Sequence, residues 1–217
     1  MITPPAQLSP ELPESPEAPA PLGRGAITRE RILDAGAELF YAHGIRAVSA
    51  DKIIERAGIT KVTFYRHFPT KDDLVVAYLE RRAAWERTVT LGASAAAHGD
   101  VDETIRMVSE GIGAEACQPG FRGCPFINAA AEYADATHPV RQVVAAHRAW
   151  FLETIQKLTG SIGIDDPTVA SELMMLRDGA MVTGYLSDPE SVAAALLSAS
   201  RAVLSSSRTQ PTTGRTE

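Results

Sequence analysis

Residues Val48 to Phe68, VSADKIIERAGITKVTFYRHF, read as two short helices joined by a turn. Ala50, Ile53, Ile54 and Ala57 recur at the spacing of one helical face, Ser49 caps that helix, and Gly58 stops it. Thr60 caps a second helix that runs to about Tyr65, with Ile59, Val62 and Phe64 expected to anchor it. Small Ala57 and flexible Gly58 permit the sharp crossing of a helix-turn-helix. Thr60, Lys61, Thr63 and Tyr65 are then left facing outward, and each can donate to a phosphate or a base edge in a major groove.

Upstream, Ile32/Leu33, Gly36/Ala37 and Leu39/Phe40 mark one face of a helix from about Thr28, its expected cap, to Ala42, with Gly44 ending it. Downstream, Pro69 breaks the chain and Thr70 with Asp73 forms a capping box that opens a long helix, Lys71 to about Leu91. Further helices are expected from Asp100 to Cys117, Cys124 to Ala134, Pro139 to Thr159, Pro167 to Tyr185 and Pro189 to Leu204. Each of Pro139, Pro167 and Pro189 sits where a missing N–H costs least. No alternating strand pattern appears, so the expected fold is all-α. Residues 1–23 hold seven of the fourteen prolines and read as a disordered arm, and residues 206–217 as a disordered tail. Between them lie a helix-turn-helix domain, 24–70, and a helical domain, 71–205.

The charge is divided between these parts. From Arg24 to Lys71 nine Lys/Arg stand against five Asp/Glu, a net of +4 in a chain of formal charge -6, so the remainder carries -10. A basic module joined to an acidic body suits a DNA reader with a second function elsewhere. No apolar run approaches the ~20 residues of a membrane span, and no basic segment followed by an apolar core opens the chain. A cytoplasmic location without membrane contact, and reduced Cys117 and Cys124, are the expectation. Five scattered His and two Cys lack metal-ligand spacing. There is also no glycine-rich phosphate loop, nucleophile elbow or paired catalytic carboxylate. Catalytic residues, a metal and a cofactor are therefore not expected.

The run Thr28-Arg29-Glu30-Arg31-Ile32-Leu33-Asp34-Ala35, then Gly44, then Ala57 to Phe68, continued by Lys71, Asp73 and Leu74, resembles the TetR family of transcriptional regulators over about fifty residues. One departure is Gly36, where alanine is usual. The resemblance implies a three-helix DNA-binding domain, joined by a long helix to a helical domain that binds a small-molecule inducer and dimerises. It places Thr60, Lys61 and Thr63 among base-facing positions and Thr28, Tyr65, His67 and Lys71 among phosphate-facing ones. Ser49 joins this DNA-facing set. The run Gly123-Cys124-Pro125-Phe126-Ile127-Asn128-Ala129 looks like a motif of one large branch of that family.

Cys124, Asn128 and Glu132 fall at i, i+4 and i+8. They read either as a polar face of a ligand pocket or as groups that cap and bridge neighbouring helices. The pocket reading gathers Phe126, Asn128, Tyr133, His147, Trp150, Met174 and Arg177, although an apolar and methionine stripe at this spacing is also how plain core looks. Arg177 and Asp178 suit either a ligand or a dimer interface. The acidic body disfavours a large anionic ligand, so a neutral or cationic, largely apolar compound is expected. The last two helices, with Ala180, Ala193, Ala194, Ala195 and Ala199, are expected to pair with their copies across a two-fold axis. The function these signs imply is a repressor that binds a near-palindromic operator in double-stranded DNA as a homodimer and is released by a small molecule. Two alternatives stay open. One is a thiol-based repressor using Cys124 or Cys117, with Arg122 lowering the Cys124 pKa; the other is a helical enzyme or carrier with an appended DNA domain.

Overall fold

The computed structural model describes residues 23–209, with side chains to Ser207. Of the expected disordered arm, 1–23, and tail, 206–217, residues 1–22 and 210–217 lie outside the described residues, and 206–209 are instead the last turn of the final helix. Three helices come first: α1 (Arg24–His43), α2 (Ala50–Ala57) and α3 (Lys61–His67). Then follow α4 (Lys71–Ala96), α5 (Val101–Ala116), α6 (Pro125–Glu132), α7 (Pro139–Gly160), α8 (Pro167–Leu186), a 3-10 turn (Pro189–Ser191) and α9 (Val192–Thr209). No strand occurs among the described residues.

Local chemistry sets most of these boundaries. Ser49 Oγ accepts from Lys52 N–H at 3.3 Å and Thr60 Oγ1 from Thr63 N–H at 3.2 Å. Thr70 and Asp73 close a full capping box at the start of α4. Gly58 ends α2 in the left-handed region. Several ends differ from expectation: α4 runs past Leu91 to Ala96, and Pro189 opens a 3-10 turn, so that α9 begins at Val192. Thr28 does not cap α1, which starts one turn earlier; its hydroxyl instead donates to Arg24 O at 3.0 Å, as a threonine inside a helix does. At the other end α9 passes Leu204 and reaches Thr209, because Ser206 and Ser207 donate to Val203 O and stay compatible with the helix.

One core begins between α1, α2 and α3, where Ile32, Val48, Ile53 and Phe64 are fully buried, and continues through Leu74 and Leu79 of α4 to Phe126 and Ala129 of α6 and Val140 of α7. Gly36 belongs to this core: a Cβ there would stand 2.9 Å from Leu74 Cδ2, so glycine lets α1 and α4 approach where alanine would push back. A second core joins Val101 and Ile105 of α5 to Leu173 of α8 and Leu204 of α9. Gly113 of α5 brings that helix close to α9, since its Cβ would lie 2.7 Å from the Ala193 Cβ. Ala193, expected in an interface between copies, therefore packs inside its own chain.

Candidate functional site

The outward side of α2 and α3 carries most of the expected DNA-facing set. Lys61 is exposed, with Nζ 3.7 Å from Asp51 Oδ1, and the hydroxyls of Thr60 and Thr63 are 2.9 Å apart. Tyr65 is exposed and stands edge-on to buried Phe64. Val62, expected to anchor α3, is instead 79% exposed and shares the outward surface. The register of α3 turns Phe64 and Phe68 inward, and a seven-residue helix has no third apolar row to bury. His67 is half-buried, with Nε2 enclosed and unpaired. Lys71 is not a free surface cation: its ammonium donates to Ile45 O at 3.0 Å and Val48 O at 3.1 Å, tying the α1–α2 connection to the start of α4.

A set of polar contacts joins α6 and its flanking loops to that same connection. Glu132, the last residue of α6, accepts from Ile45 N–H at 2.8 Å and Arg46 N–H at 2.6 Å. Gly44 makes room for it; its φ of 85° favours glycine, and a Cβ there would meet Glu132 Oε1 at 3.3 Å. Arg122 donates to Ala42 O at 2.5 Å, and the Tyr41 hydroxyl donates to Gly123 O while accepting from Arg122 N–H. The Tyr133 hydroxyl donates to Asp72 Oδ1 at 2.6 Å; burial first, then that carboxylate, pushes the phenol pKa up. Arg122 is thus engaged with α1, and the guanidinium beside Cys124 is that of Arg177, at 3.3 Å from Sγ.

Arg177 belongs to a buried charge cluster. Its Nη2 donates to Glu86 Oε2 at 3.2 Å, and its Nη1 lies 3.3 Å from Asp178 Oδ1. Glu86 also accepts from His147 Nε2 at 3.1 Å and from Arg82 Nε at 2.8 Å, and Arg82 continues to Glu115. Burial by itself would raise the Glu86 pKa. The His147 hydrogen bond, then Arg177 and Arg82, override it and hold the carboxyl at about 2. His147 is 3% exposed and stacked on Phe126, with ring centroids 3.8 Å apart.

Beyond Arg177 a cavity of about 400 Å³ opens among α4, α5, α7, α8 and α9. Ile105, Val108, Ile112, Phe151, Leu173 and Leu196 give it an apolar wall. Of the residues expected to bind a ligand, Trp150 and Arg177 line this space. Phe126, Asn128, Tyr133, His147 and Met174 do not. Asn128 is exposed, and its amide donates to Arg122 O at 2.9 Å. The trio Cys124, Asn128 and Glu132 does not form one inward face: each step of four residues drifts ~40° around a helix of 3.6 residues per turn. Cys124 also sits in the extended N-cap position. The α5 wall had a legible signal in Thr104, Ile105, Val108, Ser109 and Ile112, a single face of an expected helix.

Comparison with known proteins places this arrangement among bacterial regulators. A family profile described as bacterial regulatory proteins, tetR family, matches residues 32–78. The crystal structure of SCO4454, a TetR-family transcriptional regulator from Streptomyces coelicolor, is 41% identical with a TM-score of 0.79, over 83% of this chain and 96% of that one. The HTH-type transcriptional repressor NemR of Escherichia coli is 27% identical over 119 residues, 54% of this chain and 59% of that protein. The HTH-type transcriptional regulator SrpR of Pseudomonas putida is 40% identical over 55 residues, 25% of this chain. That match spans only 26% of SrpR, about a quarter of its length.

Proposed function

This chain belongs to the TetR family of bacterial DNA-binding transcriptional regulators, and from that premise we propose that it is a ligand-released repressor acting as a homodimer on a near-palindromic operator. Residues 24–70 read the operator and residues 71–205 bind the ligand and dimerise. The chain is also proposed to belong to the branch of the family that carries the run from Gly123 to Ala129, on the resemblance of that run alone. The observation that carries the reading is the cavity beside Arg177, because it lies one buried charge cluster away from the helix that grips the α1–α2 connection. A ligand releases DNA only if it binds the DNA-incompetent arrangement more tightly, and a cavity next to a packed, two-ended linkage supplies such a difference.

Dimerisation rests on α8. Met175, Val182 and Leu186 are 64%, 45% and 69% exposed, and with Gly179 they form one apolar stripe along that helix. Light scattering is expected to give about twice the 23.2 kDa chain mass, and Val182→Glu the chain mass itself. A wild-type monomer at micromolar concentration refutes the two-fold reading, and with it the palindromic operator.

Base and phosphate contacts are separable by mutation. Lys61→Ala and Thr63→Ala are expected to alter sequence preference by ~1–3 kcal/mol, and Val62→Ala to weaken selection of thymine, whose methyl group an exposed aliphatic side chain covers. Lys71→Ala is expected to weaken binding to every sequence, to reduce the salt slope by about one unit, and to lower the melting temperature, because its ammonium also holds two carbonyls. Equal effects of both classes in a mobility-shift series across operator variants contradict the assignment.

The thiol reading, through Cys124 or Cys117, is supported by the contact of Cys124 with Arg177 and by the exposure of Cys117, whereas the Cys124 thiol is 3% exposed. Release of DNA by peroxide, abolished in Cys124→Ser or Cys117→Ser, would favour it over the cavity.

A further inference from the structure

We infer that the cavity takes an uncharged, mainly hydrocarbon molecule carrying a carbonyl-type oxygen acceptor, and that Ser109 and Ser200 recognise that oxygen. This rests on the reading of the cavity as the effector site.

The argument begins with charge. Among the described residues, Lys157 and Arg177 are the ionisable ones in the lining, and no carboxylate faces the space. Arg177 is already compensated by Glu86 at 3.2 Å and Asp178 at 3.3 Å. Lys157 is exposed and paired with Glu153 at 2.7 Å. An anion would enter without an unopposed cation to meet it, and a cation would be buried beside Arg177 without a counter-charge. Either would lose hydration that the walls do not replace. The acidic net charge of the surrounding domain therefore does not carry over into its interior, and a cationic ligand falls away.

The hydroxyls then narrow the choice among neutral molecules. Thr104 donates to Asp100 O at 2.7 Å, Thr154 to Trp150 O at 2.8 Å and Ser161 to Leu158 O at 2.7 Å, so these three are satisfied by their own helices. Ser109 on α5 and Ser200 on α9 are 1% and 4% exposed, line the cavity, and make no side-chain hydrogen bond. Neither oxygen is among the fully enclosed polar atoms that lack a partner, so both hydroxyls are reached from the cavity and are free to bond an occupant. Thr90 and Ser94 of α4 also line the space but are only half-buried, whereas Ser109 and Ser200 are enclosed on the adjacent helices α5 and α9. That pair suits one acceptor oxygen held between two donors, with the alkyl part against Ile105, Val108 and Leu196. The volume of about 400 Å³ is that of a small-molecule site.

The test uses three probes with one alkyl chain and different heads: 2-decanone, decanoate and decyltrimethylammonium. Trp150 lines the cavity and serves as the fluorescence reporter in a full-length Trp85→Phe background. The ketone is expected to quench Trp150 with a Kd at least tenfold below either ion. Ser109→Ala with Ser200→Ala, checked for an unchanged melting temperature, should raise the ketone Kd about tenfold and leave decanoate where it was. An ion that binds as tightly as the ketone, or a serine double variant with unchanged ketone affinity, overturns the inference while leaving the effector cavity standing. Absence of quenching by all three probes overturns the cavity reading itself.

Discussion

Glu86→Gln is expected to destabilise the folded protein by about 3–5 kcal/mol, the largest single-residue effect outside the apolar core. The carboxylate accepts from His147, Arg177 and Arg82 in a space where its own side chain is 8% exposed. Glutamine fills the volume but leaves two guanidinium groups facing a neutral amide, and a buried charge left without its partner is far costlier than a pair removed whole. Urea unfolding checks the loss, and replacing Glu86 and Arg177 together by Leu and Met should recover part of it. The pH dependence has a definite direction. The folded-state pKa, about 2, lies below the ordinary 4.5, so the ionised carboxyl stabilises the fold in full above pH ~5. That contribution, on the order of 3 kcal/mol, disappears as the pH falls from 4.5 through 2. The wild type should lose stability steeply across this window, and Glu86→Gln should show a shallower decline. A variant within 1 kcal/mol of wild type at pH 7 refutes the account.

The same residue shows where sequence reading stops. Glu86 stands four residues after Arg82, the spacing of a solvated helical pair, and nothing local separates it from one. What buries it is the arrival of His147 and Arg177, 61 and 91 residues further along the chain. Helix limits, by contrast, were legible because their causes are local: Ser49, Thr60, Thr70 and Asp100 all cap as read, and Pro139 and Pro167 open their helices. Spacing alone does not fix direction. Val62 followed an apolar pattern to the wrong side of a two-turn helix. The expected pocket gathers residues of α6, α7 and α8, of which Trp150 and Arg177 line the cavity, whereas most of its wall comes from further positions of α4, α5, α7 and α9, including one face of α5 whose spacing equally suits plain core. Of the two readings of Glu132, the bridging one matches its bonds to Ile45 and Arg46.

Those bonds give the second large expected effect. Glu132→Ala is expected to leave operator affinity within a few-fold of wild type but to remove most of the ligand's power to release DNA. The carboxylate holds two adjacent backbone N–H groups at 2.8 and 2.6 Å in the connection that precedes α2, and Lys71 holds two carbonyls of that connection from the other side. Charge-assisted bonds of this length are about twice as strong as neutral ones, so the pair makes α6 and the α1–α2 connection move together. At the other end of α6, Cys124 touches Arg177, which lines the cavity. On the proposed function, a ligand that displaces Arg177 would shift α6 through Cys124, and through Glu132 the connection that precedes α2. Couplings of this kind are worth ~1–3 kcal/mol, a change in operator affinity of roughly 5–150-fold, and without Glu132 that ratio should fall toward one. Hydrogen exchange supplies a reading independent of any ligand: the amides of Ile45 and Arg46 should exchange faster in Glu132→Ala, while those of Ile53 and Phe64 in the adjoining core keep their protection. Full release of DNA by the wild-type inducer in Glu132→Ala, with Ile45 and Arg46 newly unprotected, would mean that the signal reaches α2 and α3 through the continuous core along α4 instead.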